Sequence, residues 1–145
     1  MTARGRKPGT AKAGIISIDS AIRAPDAARS AAFHRGVSAE SEAASYLVAK
    51  GFRILSQRWR SPRGEIDIVA QRQEMLVFVE VKARLTVDAA AEAVTPRQRR
   101  RIVAAAELWL ARHADIAFTD IRFDAVLVAP GQVPHHIPSA FDGTV

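Results

Sequence analysis

Gly64-Glu65-Ile66-Asp67-Ile68-Val69-Ala70, a polar break at Gln71–Glu74, and Leu76-Val77-Phe78-Val79-Glu80-Val81-Lys82 are the stretch on which the fold turns. The first run opens by alternating polar and apolar residues, the pattern of a strand with one polar face. The second is nearly continuous in apolar and β-branched residues, which suits a strand covered on both faces. So short a break makes the two strands antiparallel neighbours. Residues two apart on a strand share a face, so Glu80 and Lys82 project together, as do Glu65 and Asp67. Asp67 is therefore expected beside Glu80 and Lys82.

Upstream, Ala39, Ala43, Tyr46, Leu47 and Lys50 follow helical spacing, with Ser38 as a candidate N-cap and Gly51 as the stop. Phe52–Leu55 reads as a short strand, and Arg58-Trp59-Arg60-Ser61-Pro62-Arg63-Gly64 as a basic turn. Downstream, Thr95 caps a helix with Pro96 at its first position and Ile102, Ala106, Trp109 and Leu110 on one side. Ile121–Ala129 is a last strand. The order α-β-β-β-α-β predicts an α/β fold, a mixed central sheet flanked by helices. Residues 35–130 are then one domain. Residues 1–34, without sustained periodicity, are a flexible basic segment, and 131–145, with Pro134, Pro138 and Gly143, a loose C-terminal tail.

Composition narrows the classes of function. Cysteine is absent, which removes disulfides, thiolate metal sites and a cysteine nucleophile, and fits a cytoplasmic setting. No run approaches the ~18–20 apolar residues of a membrane span. The N-terminus has no apolar segment of the signal-peptide kind; its Arg, Ala and Ser content also suits an organellar transit peptide, which ranks below a simple basic tail. The net charge is +6, but residues 1–35 hold seven Lys/Arg against two Asp, leaving +1 for the remainder. Seventeen of the twenty-one basic residues are Arg, and Lys82 is the only lysine after position 50.

Carboxylates brought together on adjacent strands repel unless a cation lies between them. Asp67 and Glu80 would suit a hard divalent ion, Mg²⁺ or Mn²⁺, that takes oxygen ligands and acts on a phosphodiester. Lys82 would then orient the attacking water or balance charge on the phosphate, for which an ammonium differs from a guanidinium. A Glu-x-Lys triplet alone carries little weight, because such pairs alternate on many solvated strand faces. Charges that interrupt interior strands carry more, since they need partners. On the residues alone the two readings are level.

The strings Gly64–Ala70 and Val77–Arg84 closely resemble the YraN-like family of uncharacterised bacterial proteins. The similarity includes Gly36, Glu40, Tyr46-Leu47, Gly51 and Trp59-Arg60 upstream, and Val94-Thr95-Pro96-Arg97 and Arg122-Phe123-Asp124 downstream. That family is similar to the restriction-endonuclease-like nucleases and to archaeal Holliday-junction resolvases. The resemblance implies that Asp67, Glu80 and Lys82 are the catalytic trio and that Glu40 joins Asp67 and Glu80 at the metal. Glu42 is read as helix surface and Glu65 as a supporting residue. The chain departs from the family pattern at Arg58 (commonly Asn), Gln98 (commonly Lys), Ala39 (commonly Gly) and the Ala-rich, slightly acidic Leu85–Ala93.

Arg58, Arg60, Arg63, Arg84, Arg97, Arg100 and Arg101 are the candidate nucleic-acid contacts, with Trp59 either stacking on a base or covering the core. His34, His113, His135 and His136 show no ligand spacing. Asp124 either faces the site or pairs with Arg122 or Arg84. The expectation is a Mg²⁺- or Mn²⁺-dependent endonuclease acting on DNA, with branched or damaged DNA in repair or recombination as candidate substrates. The alternative is a non-catalytic nucleic-acid-binding module. No membrane partner is expected, and a homodimer is compatible with a sequence that specifies no dimer interface.

Overall fold

The computed structural model describes residues 38–85 and 94–143. The expectations for segment 1–34 and for most of Leu85–Ala93 lie outside them. Among the described residues the elements run α1 (residues 38–49), β1 (Arg53–Ser61), β2 (Gly64–Arg72), β3 (Met75–Ala83), α2 (Pro96–Arg112), β4 (Asp120–Val128) and β5 (His135–Phe141). The strands form one mixed sheet in spatial order β1-β2-β3-β4-β5. Neighbours are antiparallel except β3 and β4, which are parallel. A parallel step needs a crossover, and α2 supplies it.

Each helix covers one face. Leu76, Phe78, Phe123, Ala125 and Leu127 pack in one cluster with Ile102, Ala105, Ala106 and Trp109 of α2. The alternate residues Val77, Val79, Val126 and Val128 pack with Ala39, Ala43, Ala44 and Leu47 of α1. Being covered on both sides is why β3 reads as a continuous apolar run. Burying each large side chain is worth ~1.5–3 kcal/mol. Trp109, fully buried, also meets Phe78 edge-on at 5.7 Å and donates its indole N–H to Ser56 Oγ at 3.0 Å.

Local chemistry sets the helix ends. Gly51 (φ 95°) ends α1 with the paired bonds Phe52 N–H to Leu47 O (3.0 Å) and Gly51 N–H to Val48 O (2.9 Å), a Schellman closure. Thr95 caps α2: its hydroxyl accepts from Gln98 N–H at 3.2 Å while Gln98 Oε1 accepts from Thr95 N–H at 3.0 Å. Gln98 thus completes a capping box, a use for this residue independent of phosphate. Ser38, expected as the cap of α1, already has helical structure.

Two sequence expectations change. The basic segment Arg58–Gly64 is mostly strand: β1 continues to Ser61, and only Pro62 and Arg63 turn, with Ser61 paired to Gly64. Ser61 Oγ fixes this turn by accepting from Arg63 N–H and Gly64 N–H, both at 3.2 Å, and donating to Gly64 O at 2.8 Å. The tail 131–145 is not loose throughout, because β5 pairs antiparallel with β4 and buries Phe141. Its Pro138 is tolerated because β5 is an end strand.

Candidate active site

Regular pairing of β2 with β3 runs from Arg72↔Met75 to Ile68↔Val79 and stops there. Side-chain alternation on β2 breaks at the same place: Val69 faces α2, Ile68 and Ala70 face α1, yet Ile66 faces α2 again. Asp67 sits at this break. Beyond it the strands part, and the Val81 N–H that a ladder would have used donates to Asp67 Oδ2 at 2.8 Å. On the far side β1 keeps its pairing, Gln57↔Ile68 and Trp59↔Ile66, which sets Arg58 across from Asp67 with a left-handed φ of 51°.

The fork gathers the sequence-predicted acids. Glu80 and Lys82 alternate with Val79 and Val81, which face α1, so both project from the α2 face of β3. They form an ion pair of 3.1 Å, with side chains only 16% and 13% exposed. Glu40 comes from the first turn of α1, with its side chain 16% exposed. Asp67 is the common neighbour: its charge bears on both Glu40 and Glu80, and Lys82 bears on it in turn. The parting of the strands therefore lets carboxyls from opposite faces of the sheet meet at its rim.

Their electrostatics follow from this crowding. Burial, then the Asp67 charge, pushes Glu80 from 4.5 to about 7 against the pull of Lys82. Burial and Asp67 likewise take Glu40 to about 7, with the Arg58 guanidinium opposing. Asp67 is itself raised by burial, although the Val81 amide holds it back. Glu40 Oε1 is buried without a hydrogen-bond donor; its charged neighbour is Arg58 Nη1 at 3.7 Å. That distance is an ion pair, not a hydrogen bond. Among the described residues no three His, Asp or Glu stand as a finished metal-ligand set.

The candidate arginines divide by position. Arg58 borders the acids. Arg60 and Arg63, at the β1–β2 turn, make exposed pairs with Glu65 at 3.8 Å and Glu107 at 3.4 Å. Arg97, Arg100 and Arg101 are on the first turns of α2, and the first turn of that helix carries no acidic residue. These groups adjoin, because a Cβ on Gly64 would come within 3.0 Å of Arg101 O. Arg84 lies apart, past the end of β3, its backbone N–H bonded to Val128 O and its Nη1 to Ala83 O. It lines a cavity with Ser38, Ala39, Glu42 and Val128, and that lining includes none of Glu40, Asp67, Glu80 and Lys82. Trp59 is half-buried against the α2-side core, the structural one of its two expected roles.

Asp124, left open by the sequence, is fully buried and does not join the site. Its oxygens accept from Arg122 Nε and Nη2, both at 2.8 Å, and from Ser139 N–H at 3.0 Å, while His136 Nε2 lies 2.7 Å away. These bonds hold the carboxyl below its usual range despite burial. His136, unremarkable in sequence, thus ties β5 to β4. The spacing of Arg122 and Asp124 hinted at the first partner; the second comes from another strand and left no local signal.

Comparison with known proteins matches residues 39–128 to the uncharacterised protein family UPF0102. A UPF0102 protein of Rhodopseudomonas palustris strain HaA2 is 60% identical over 121 residues, covering 83% of this chain and 93% of its own. One from Bradyrhizobium diazoefficiens is 58% identical over 116 residues, 80% of this chain and 87% of its own. Another from Nitrobacter winogradskyi is 55% identical, again over 80% of this chain and 98% of its own. The matched span contains Glu40, Asp67, Glu80 and Lys82, and this is the family that the motifs of the two central strands resemble. The chain belongs to the uncharacterised protein family UPF0102.

Proposed function

We propose that this protein is a Mg²⁺- or Mn²⁺-dependent endonuclease acting on DNA. The observation that carries the reading is the convergence of Glu40, Asp67 and Glu80 with Lys82 where β2 and β3 part. The residues fit a hard cation: a buried Glu40 oxygen has no donor, and Glu40 and Glu80 are held near pKa 7 by burial and by Asp67. An oxygen-seeking divalent ion held there would offset the crowding of these carboxyls. Glu40, Asp67 and Glu80 would hold it, and its Lewis acidity toward phosphodiester and water is the chemistry it supplies.

The chain's own groups do the rest. Val81 N–H fixes one Asp67 oxygen and so holds the carboxyl in place beside Glu40 and Glu80. Glu80, 3.1 Å from Lys82, keeps the ammonium at the cluster, where it balances the charge of a scissile phosphate. Exposed ion pairs such as Arg60–Glu65 and Arg63–Glu107 are worth under ~1 kcal/mol and yield readily to a phosphate backbone. Arg97, Arg100 and Arg101 extend the same basic rim. Branched or damaged DNA is the substrate class to test first, beside supercoiled and single-stranded DNA. Purified protein with Mg²⁺ or Mn²⁺ should nick at least one of these. No cleavage, or equal cleavage by Asp67→Ala and Lys82→Ala, would sink the proposal.

A second reading, a non-catalytic nucleic-acid-binding module, is favoured by the closed Glu80–Lys82 pair and the lack of a finished ligand set among the described residues. It wins if calorimetry finds no Mg²⁺ or Mn²⁺ binding even with DNA while DNA affinity survives Glu80→Ala.

A further inference from the structure

We infer that Arg58 is a built-in counter-cation that competes with a divalent ion for Glu40, and so sets the metal affinity of the site. The inference rests on the metal-site reading above and adds a regulator to it.

Three observations meet at this residue. First, Arg58 has φ 51° inside a nine-residue strand, between the paired positions Gln57 and Trp59. A left-handed conformation in a non-glycine residue is strained and persists only where the surroundings impose it. Second, the distorted position lies across from Asp67, where β2 is itself irregular and leaves β3. Third, the half-buried guanidinium reaches Glu40 from this position, and Nη1 lies 3.7 Å from Oε1. That same Oε1 is the buried oxygen without a hydrogen-bond donor. The contact gives charge compensation without the geometry of a bidentate Arg–carboxylate pair, which holds both partners at about 2.7–2.9 Å.

A guanidinium here does for Glu40 electrostatically what a bound cation would do. The two cannot both sit against one carboxylate without repelling each other. Binding of a divalent ion must therefore displace Arg58 or be weakened by it. Displacement moves a cation to the rim of the acid cluster, where an anionic phosphate would arrive. The device couples metal entry to the exposure of a phosphate-binding group, within one residue and without domain movement.

The test is metal titration, independent of cleavage. Arg58→Asn and Arg58→Gly both remove the charge and both accept a left-handed φ. Calorimetry of the full chain with Mn²⁺ alone should give binding about tenfold tighter in each variant than in the wild type. That is the scale on which one adjacent charge alters a carboxylate's affinity for a cation. Thermal melts establish that each variant is folded. In the wild type, the Arg58 Nε–H resonance should shift on adding Mg²⁺, a readout that needs no variant. Equal or weaker Mn²⁺ binding by the folded variants, with an unmoved Arg58 resonance, overturns the inference and leaves the metal site standing. Undetectable Mn²⁺ binding in wild type and variants alike overturns the metal-site reading and this inference together.

Discussion

Replacing Asp67 by an asparagine should flatten the dependence of stability on pH. Glu40 and Glu80 have folded-state pKa values of about 7 against an ordinary 4.5. A raised carboxyl binds its proton more tightly when folded, so stability is fully present below about pH 4.5 and is lost as pH rises through 7. Each carboxyl alone would cost about 3 kcal/mol once ionised in the folded protein. Both retain some access to water and share one neighbour, so a joint loss of ~3 kcal/mol between pH 5 and pH 8 is the better figure. Burial is the larger cause for both and the Asp67 charge the second, so the amide should remove about 1 kcal/mol of that loss. The carboxamide oxygen of the variant can still accept the Val81 N–H, so the backbone contact survives. Denaturant melts of wild type and Asp67→Asn in chelator, at half-unit steps from pH 5 to 8, measure the difference. A ΔΔG that is the same at pH 5 and pH 8 would refute the crowding argument, whatever its sign.

Three further outcomes follow from the geometry. Trp109→Ala empties the centre of the α2-side core and strands Ser56 Oγ, so denaturant unfolding should show a loss of about 3–5 kcal/mol. Asp124→Ala leaves Arg122 and the Ser139 N–H without their acceptor and should cost ~3–5 kcal/mol at pH 7. In wild type, Asp124 has a depressed pKa, so its contribution is present above about pH 4 and fades only as pH falls through that lowered value; acid titration of the two proteins should converge there. Changing Arg97, Arg100 and Arg101 together to Gln should lower the slope of log affinity against log salt for duplex DNA by about 2–3, with little change in melting temperature. An unchanged slope would remove the α2 rim from the DNA-binding surface.

Much of this was legible because local patterns and tertiary packing agree. The apolar run of β3, the Thr95-Pro96 start of α2 and the Gly51 stop of α1 each obey a rule readable over a few residues, and each forms as expected. So did the neighbourhood of Asp67, Glu80 and Lys82, since a short turn leaves two strands little choice of partner. What escaped depended on distant chain. Arg58 to Ser61 look like a turn because polar residues crowd them, yet pairing with β2 extends the strand. In β5, Pro138 and the paired histidines mask an edge strand that is held by pairing with β4 and by His136 and Ser139 on the Asp124 carboxyl. The break in β2 alternation at Asp67, which opens the fork, is also invisible in the sequence, where Glu65 to Ile68 alternate regularly through it.

The order of the strands has a bearing on how the site comes into being. β1, β2 and β3 are joined by turns and pair with their immediate successors, whereas β4 reaches β3 only after the whole α2 crossover. Short loops close at smaller entropic cost than long ones, so the three-stranded meander is expected to form before the β3–β4 pairing. Glu40, Asp67, Glu80 and Lys82 all lie on that part or on the helix just before it. The long-range half, with the Arg122–Asp124–His136 clamp, contributes none of them. The acid cluster thus belongs to the locally connected segment, and the buried Asp124 clamp to the segment that is joined over a long range.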